Sequence, residues 1–374
     1  MTRDSIVAQT AARIFRNVCD PGAVNRAADA GWKAPAWAAL EEAGLTLAWV
    51  PDGLGGAGAE LADGFAVLRE AGRSAVALPV AETLLAGWLL AGAGIASPKG
   101  AMACGPVRDA DRLVLAKSGT VSGRVRAIAF ASEARHLALI AEREGGGEAV
   151  ALVEVGTAGI GNGASIAGDA LDTVVLDAVR PVAVAAADAQ AGAGRAAFAL
   201  MGATVRSMQM AGALEAILDL AVAYANERVA FGRPIAKFQA VQHNLARLAG
   251  EVAAAIAAAG SAADAMASPR PPSPLRGGVG GGGPAAAAGF DEGVFLEAAS
   301  AKIRVGEAAG KGAAIAHQVL GAIGFTKEHV LHRFTQRLWA WRDDFGNESQ
   351  WAVKLGNLVA AKGSDALWPM LAAR

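Results

Sequence analysis

The residues from Arg228 to Gln239 combine types that suit contact with a charged cofactor. A guanidinium group can hold a phosphate or pyrophosphate through two parallel hydrogen bonds. A simple helix end is the alternative, because Gly232 would stop a helix and Pro234 would prevent its continuation. That alternative does not explain why Phe231 precedes the glycine or why a glutamine follows the proline. Considered alone, the segment leaves both a simple helix end and a phosphate-binding site open.

A second segment of this kind begins at Gln318, with Gly321 and Gly324 behind it. Glycine lets a backbone approach a ligand closely, and it also ends helices in tight turns. Both interpretations fit the segment when it is considered alone.

In order and spacing, the two segments resemble the C-terminal helical domain of the acyl-CoA dehydrogenase family, over roughly residues 205–350. The resemblance implies FAD as the cofactor, held across a subunit boundary. It places Arg228 on the FAD pyrophosphate, with Phe231 and Gly232 against the cofactor. Gln239 would lie nearby as an amide partner.

The same resemblance places the second segment near the adenine end of the FAD of a neighbouring subunit. Gln318, Gly321 and Gly324 match the family's Gln-x-x-Gly-Gly-x-Gly run, and Ala322 replaces its second glycine. The Gly-rich loop at residues 51–58 also resembles the family, but lone loops of this type are too common to carry an argument.

The catalytic base is the point at which this chain departs from the family. Removal of the proton α to a thioester carbonyl needs a carboxylate, and desolvation raises the pKa of such a group to suit the task. Continuing the family spacing from Gln318 places Phe345 at the glutamate and Asn347 on the threonine that contacts FAD. Phenylalanine cannot act as a base. Asp344, one residue earlier, is therefore the predicted catalytic residue.

Other carboxylates remain open as the base. Some family members supply it from the helix before the arginine motif, where the corresponding position in this chain is Gly202. The further candidates are Asp343, Glu348 and Glu215. A solvated acidic pair without catalytic function is the alternative for Asp343 and Asp344, because exposed aspartates are far commoner than catalytic ones.

The middle of the chain matches the family less well. A Trp-Ile-Thr-Asn strand normally meets the edge of the flavin, and the corresponding stretch here runs from Ala127 to Phe130. Backbone N–H groups could still bond to the flavin, but the hydroxyl and the indole are absent. The stretch that usually precedes this strand is not recognisable around residues 102–108.

Three regions must position these residues: an N-terminal helical domain over 1–100, a middle β domain over 101–187 and a C-terminal four-helix bundle over 188–374. Multiple prolines and a glycine run predict a flexible insertion over 268–289, between two helices. The predicted fold class is mainly α with a small β domain, an order that resembles the acyl-CoA dehydrogenase architecture.

Hydrophobic periodicity locates the individual elements. Helices are predicted over Ser5–Val18, Pro35–Ala43 and Leu61–Arg73. Strands are predicted over Leu113–Ala116, Leu137–Ala141, Ala149–Val155 and Thr173–Asp177. The apolar segment from Ala75 to Ala96 is interrupted by Pro79 and Glu82, which favours a buried helix over a membrane span.

Composition excludes several classes of function. The net charge of −1 gives no basic field for nucleic acid. Cys19 and Cys104 have no metal-ligand spacing and indicate reduced thiols of a cytoplasmic protein. Among the five histidines only His329 and His332 share a helical face, so we predict no metal site. The N-terminus lacks the apolar run of a secretory signal.

The resemblance implies α,β-dehydrogenation of an acyl-CoA with FAD, with electrons passed to an electron-transfer flavoprotein. The missing glutamate favours one version of that function, in which this chain is the base-lacking subunit of a heterotetramer with a second acyl-CoA dehydrogenase; a homo-oligomer remains open. Two alternatives also remain, a flavin-dependent monooxygenase on the same fold and a non-catalytic structural partner.

Overall fold

The computed structural model describes residues 5–187, 194–267 and 292–372. Along the chain, a set of short helices comes first, a β-sheet follows, and long helices complete the fold. The predicted fold class, mainly helical with a small β domain in the middle, is confirmed. The insertion predicted over residues 268–289 lies outside the described residues.

Five helices form the N-terminal part: α1 (Ile6–Val18), α2 (Pro21–Arg26), α3 (Lys33–Glu42), α4 (Leu61–Arg73) and α5 (Val80–Gly92). Helices α1, α3 and α4 correspond to the three helices predicted from periodicity. Ser5 caps α1, because its hydroxyl oxygen accepts from the Ala8 N–H at 3.0 Å. Helix α5 is the core of the predicted apolar segment and is buried almost throughout, with Pro79 just before its first turn.

Eight strands form the sheet: β1 (Met102–Gly105), β2 (Arg112–Leu115), β3 (Val121–Ala129), β4 (His136–Arg143), β5 (Glu148–Glu154), β6 (Gly159–Gly161), β7 (Leu171–Val179) and β8 (Ala183–Ala186). Their order is β6-β7-β3-β2-β4-β5-β8, and β1 pairs in parallel with the first half of β4. The four strands predicted from sequence are β2, β4, β5 and β7. Alternation of buried and exposed residues along β7 explains why such short runs are detectable.

Long helices form the C-terminal part: α6 (Arg195–Glu227), α7 (Gln239–Ala267), α8 (Glu292–Leu320), α9 (Leu331–Asp343), α10 (Glu348–Lys362) and α11 (Ser364–Ala372). A two-stranded hairpin, β9 (Val229–Ala230) and β10 (Arg233–Pro234), connects α6 to α7. Helix α6 is the central element, since it packs against α4, α7, α8 and α9.

Two glycines allow α4 and α6 to cross at very short range. A Cβ atom at Gly72 on α4 would overlap the backbone carbonyl of Gln209 on α6. In return, a Cβ atom at Gly212 on α6 would overlap the backbone carbonyl of Arg69 on α4. This reciprocal crossing fixes the position of α6 along α4. It therefore also fixes where along α4 each side chain of α6 meets the N-terminal domain.

Helices α6 and α7 are long and apolar enough, by length and composition, to cross a membrane. The central helix of a protein core meets the same criterion. Because α6 lies mostly buried between other helices, its length and apolar composition are only weak evidence for a membrane segment.

The α4–α6 crossing generates a stability prediction. Gly212→Ala should lower the free energy of unfolding by about 3 kcal/mol, because the added methyl group meets a backbone that cannot move aside. Gly250→Ala on α7 is the matched control, because a Cβ atom there meets nothing within 4 Å. That control should raise stability by roughly 0.5–1 kcal/mol through helix propensity. Denaturant unfolding of both variants tests the prediction, and equal effects would contradict it.

Candidate functional site

The N-terminal domain, the sheet and the C-terminal helices meet around the side chain of Arg206 on α6. Its Nη2 donates to Glu82 Oε1 on α5 at 2.6 Å, and its Nε donates to Asp344 Oδ2 at 3.0 Å. Its Nη1 donates to Gln209 Oε1 at 2.6 Å, within the same helix. The side chains of Arg206 and Glu82 are 4% and 5% exposed. All three guanidinium nitrogens are thus used at this place, which we call the junction.

Burial and pairing act in opposite directions on the charges of the junction. Burial raises the pKa of Glu82 above its usual range, and Arg206 opposes that rise. Burial alone would lower the pKa of Arg206, but the carboxylates of Glu82 and Asp344 raise it above its usual value. Arg206 therefore stays charged, and it favours the ionised form of Glu82 against the effect of burial.

Phe345 fills the space directly beside this network. Its ring lies so close to α6 that a Cβ atom at Gly202 would overlap it. Phe198 contacts the other side of the ring edge-on, with centroids 5.5 Å apart. The phenylalanine adopts a left-handed backbone conformation, with φ 55°, which is unfavourable for a bulky residue and needs the surrounding packing to hold it.

The contact between Phe345 and Gly202 joins the two positions at which the sequence resemblance allows a catalytic base. They are 143 residues apart in sequence (345 − 202), yet their atoms touch. A carboxylate is absent from both positions. The two positions that the family resemblance assigns to a base therefore lie at one place in the structure, and the Phe345 ring occupies it.

The sheet forms the remaining wall of the junction. Ala127 and Ala129 at the end of β3 line a cavity of about 10 Å³ together with Glu82, Leu85, Cys104, Val107, Arg206, Asp344 and Phe345. That volume is about what a single water molecule requires. Ala127 has φ 57° and lies in an irregular part of the β3–β7 pairing. The stretch predicted to meet the flavin edge thus reaches the junction, with methyl groups in place of a hydroxyl.

The other carboxylates considered as bases also have cationic partners. Asp344 binds Arg206, as described above, and Glu348 binds the Arg342 guanidinium. Glu215 lies further along α6, where it binds Arg69 and lies 3.3 Å from Arg73. Asp343 is exposed. Among the described residues no cluster of three or more His, Cys, Asp and Glu side chains could hold a metal ion.

Asn347 begins α10 and serves as its cap. Its side-chain oxygen accepts from the Gln350 N–H at 3.1 Å, and the Gln350 side chain accepts from the Asn347 N–H at 3.0 Å. This capping box fixes the direction in which α10 leaves the junction. The predicted contact of Asn347 with FAD stays a prediction.

The arginine motif lies at the far end of α6, as the helix-end interpretation requires. Helix α6 ends at Glu227, and Arg228, whose side chain is exposed, is its C-cap residue before the hairpin. Phe231 and Gly232 form the tip of the hairpin, with φ 50° and 80°. The Phe231 side chain is 96% exposed, and Gln239 is an exposed residue at the start of α7.

The glutamine motif lies at the same end of the helical bundle. Gln318 is exposed in the last turn of α8, and Gly321 follows in a left-handed conformation with φ 64°. Contact between the rings of Tyr224 and His329, with centroids 6.4 Å apart, joins this end to the end of α6. The fold thus brings the two motifs into one exposed region, which we call the motif face. It includes Phe325, which is 74% exposed.

The motif face and the junction are separate places in one chain. Arg206 and Arg228 are both on α6, and 22 residues (228 − 206) correspond to about 33 Å along a helix. The ribityl chain between a flavin ring and its pyrophosphate cannot cover that distance. A flavin bound to the motif face therefore has its ring outside this chain's own junction.

The residues of the motif face fit FAD: an exposed guanidinium, two exposed amides, an exposed aromatic ring and glycines that permit close approach. The junction fits it less well, because the usual hydroxyl and carboxylate are absent. Arg206 and Glu82 were not identified from the sequence as site residues. A charged residue inside an otherwise apolar helix, Glu82, was nevertheless a detectable signal.

A three-part fold with these motifs is that of an acyl-CoA dehydrogenase. The family model described as acyl-CoA dehydrogenase, N-terminal domain matches residues 3–99, and the C-terminal domain model of the same family matches residues 196–342. The chain belongs to the acyl-CoA dehydrogenase family.

Among individual proteins, the chain is similar to acyl-CoA dehydrogenase IpdE2. It is 29% identical to the Mycobacterium tuberculosis protein, over 88% of each chain. It is 30% identical to the Mycolicibacterium smegmatis protein, over 67% of this chain and 73% of the relative. The fold is similar to that in the ChsE4–ChsE5 complex from M. tuberculosis, with a TM-score of 0.77, 20% identity and coverage of 95% and 98% of the two chains. The Tcur3481–Tcur3483 steroid acyl-CoA dehydrogenase gives the same TM-score at 22% identity, over 95% and 97%.

The junction generates a second stability prediction. Arg206→Met should lower the free energy of unfolding by about 3–5 kcal/mol, because the buried Glu82 and the partly buried Asp344 lose their partner. Lys33→Met is the control, since Lys33 forms a half-exposed ion pair with Glu133 at 2.8 Å. Such pairs contribute about 1 kcal/mol or less. Chemical denaturation of both variants at neutral pH provides the measurement, and a cost for Arg206→Met no larger than that of the control would contradict the role given to the network.

Proposed function

We propose that this chain is the base-lacking subunit of a heteromeric, FAD-dependent acyl-CoA dehydrogenase. The contact between the Phe345 ring and Gly202 carries the proposal, because both positions for a base meet there without a carboxylate. In this assembly a second acyl-CoA dehydrogenase chain supplies the base and the flavin-ring site. This chain supplies its motif face to the FAD of that partner.

The chemistry assigned to the chain's own residues is binding and orientation. When bound, FAD accepts the β-hydride of the acyl-CoA. Arg228 would hold the pyrophosphate through its guanidinium, with Gln239 as an amide partner. Gln318, Gly321 and Gly324 would hold the adenine end, and the exposed Phe231 would pack against the cofactor. Apart from Gly324, which is buried beneath the segment, these residues lie on the motif face, so one surface can make these contacts.

Asp344 as the base of a self-sufficient enzyme is the competing interpretation. Its carboxylate accepts a hydrogen bond from Arg206 Nε at 3.0 Å, so it is already engaged in the junction. Arg206 stays charged at neutral pH because its own pKa is raised. Proton abstraction by Asp344 would neutralise the carboxylate and would therefore break its ion pair with Arg206.

The substrate and electron acceptor follow from the family and from similar proteins. We propose a CoA thioester with a ring-bearing acyl group, since one similar structure is described as a steroid acyl-CoA dehydrogenase and another as a complex of two different chains. An electron-transfer flavoprotein is the proposed acceptor, and the cytoplasm the proposed location. A cavity of about 10 Å³ at this chain's own junction supports the view that the acyl group binds in the partner.

Flavin content tests the proposal. The chain purified alone should carry little FAD, and the chain purified with a partner that has the family glutamate should carry one FAD for each pair of chains. Absorbance of flavin released from a known amount of protein gives both ratios. One FAD per chain in the protein purified alone would contradict the proposal and would direct attention to Asp344.

Substitution on the motif face sharpens this test. Arg228→Met should weaken FAD binding by the complex about ten- to hundredfold, the equivalent of losing a charge-assisted hydrogen bond. Arg247→Met on the exposed side of α7 is the control, because it removes the same charge outside the two motifs. Titration of the apo complex with FAD measures both dissociation constants. Equal constants for the two variants would show that Arg228 does not bind the pyrophosphate.

A further inference from the structure

Lys302 on α8 lies directly behind the turn that joins α9 to α10. The residue is 1% exposed. Its Nζ donates to the carbonyl oxygen of Arg342 at 2.6 Å and to that of Gly346 at 2.7 Å. These carbonyls flank residues 343–345, so a single nitrogen atom holds both ends of the turn.

Two further contacts also hold the turn between α9 and α10. Trp351 Nε1 donates to the carbonyl oxygen of Phe345 at 2.9 Å. The carboxylate of Glu348, which pairs with Arg342, lies where a Cβ atom at Gly306 of α8 would be. Helix α8 thus contacts the turn through a lysine and a glycine one helical turn apart.

The number of hydrogen-bond acceptors around Lys302 matches an uncharged amine. An ammonium group has three N–H donors, and a neutral amine has two. In the described part of the chain, the carbonyls of Arg342 and Gly346 are the acceptors bonded to Nζ. A buried ammonium would keep one donor unpaired, which costs free energy.

Charged groups from three other elements face the amine. They are Arg206 from α6, Asp343 and Asp344 from the turn, and Glu348 from α10. Burial lowers the pKa of Lys302 to about 8; Asp344 and Glu348 oppose this shift, and Arg206 adds to it. Carboxylates and guanidinium groups normally titrate outside the range from pH 7 to 9, so the amine is the group of this cluster that changes charge there.

We propose that Lys302 is the positioning residue for the turn carrying Phe345 and Asn347, and that it holds the turn more firmly as a neutral amine than as an ammonium. Lys302 thereby keeps the Phe345 ring against Gly202. The inference goes beyond the proposed function, because it applies to the isolated chain and holds whichever subunit supplies the base.

The direction of the pH dependence follows from proton linkage. Opening of the turn exposes the amine and returns its pKa to the ordinary value of 10.5. Between pH 8 and 10.5 the closed turn therefore binds fewer protons than the open one, so rising pH favours the closed turn. From pH 7 to pH 9 the opening constant should fall about tenfold. A lysine that acted through its positive charge would give the opposite sign.

Hydrogen–deuterium exchange of peptides covering residues 342–351 provides the test. Rates at pH 7 and pH 9 are divided by the intrinsic chemical rate at each pH. The unsubstituted chain should gain about tenfold in protection at pH 9, and Lys302→Met should lose this dependence. Lys311→Met is the control on the same helix, because Lys311 is largely exposed and lies near Glu251 and Glu307. It should keep the full dependence.

Two results would overturn the proposal. One is equal protection of the turn at pH 7 and pH 9 in the unsubstituted chain, or lower protection at pH 9. The other is a Lys302→Met protein whose turn keeps the pH dependence of the Lys311→Met control. If Lys302→Met does not fold, the sign of the dependence in the unsubstituted chain decides alone.

Discussion

The Arg206 guanidinium is the interaction on which the arrangement of this protein depends. It joins α5, α6 and the α9–α10 turn through three different nitrogens. A buried arginine with two carboxylates needs hydrogen bonds that offset the cost of its burial, and here each of its three nitrogens donates one. The same pairing commits Glu82 and Asp344 to a structural role, since both face a permanent cation. One network thus defines the fold at the junction and engages both of its carboxylates.

Helix α6 separates the two functional regions of the chain. Near its start it carries Gly202 and Arg206 of the junction, and at its end it presents Arg228 on the motif face. Because a helix is a rigid spacer of about 1.5 Å per residue, these regions cannot serve the same flavin within one chain. The close crossing of Gly72 and Gly212 fixes where α6 lies along α4. This separation is what the proposed sharing of a cofactor site with another subunit requires.

The sequence predicts local features of this protein far better than long-range ones. Periodicity located α1, α4 and the strands because each element buries one face, and the motifs at Arg228 and Gln318 were visible because their residues are neighbours in sequence. The Arg206 network was not visible, since its partners are 124 and 138 residues away. Lys302 gave no signal, because its acceptors are backbone carbonyls. Family spacing named Phe345 and Gly202 as alternative positions for a base, but it gave no sign that the two residues lie in contact.

The rate of flavin reduction in a complex that carries Asp344→Asn decides whether this chain or its partner supplies the catalytic base. The asparagine keeps the size of the side chain and an oxygen for Arg206, but it cannot accept the proton that leaves the thioester. Stopped-flow absorbance under anaerobic conditions would follow the flavin after mixing with acyl-CoA. If the base lies in the partner, as proposed, the reduction rate should stay within about threefold of that of the unsubstituted complex. A loss of about a thousandfold or more, in the range seen when acid–base catalysis is removed, would contradict it and identify Asp344 as the base.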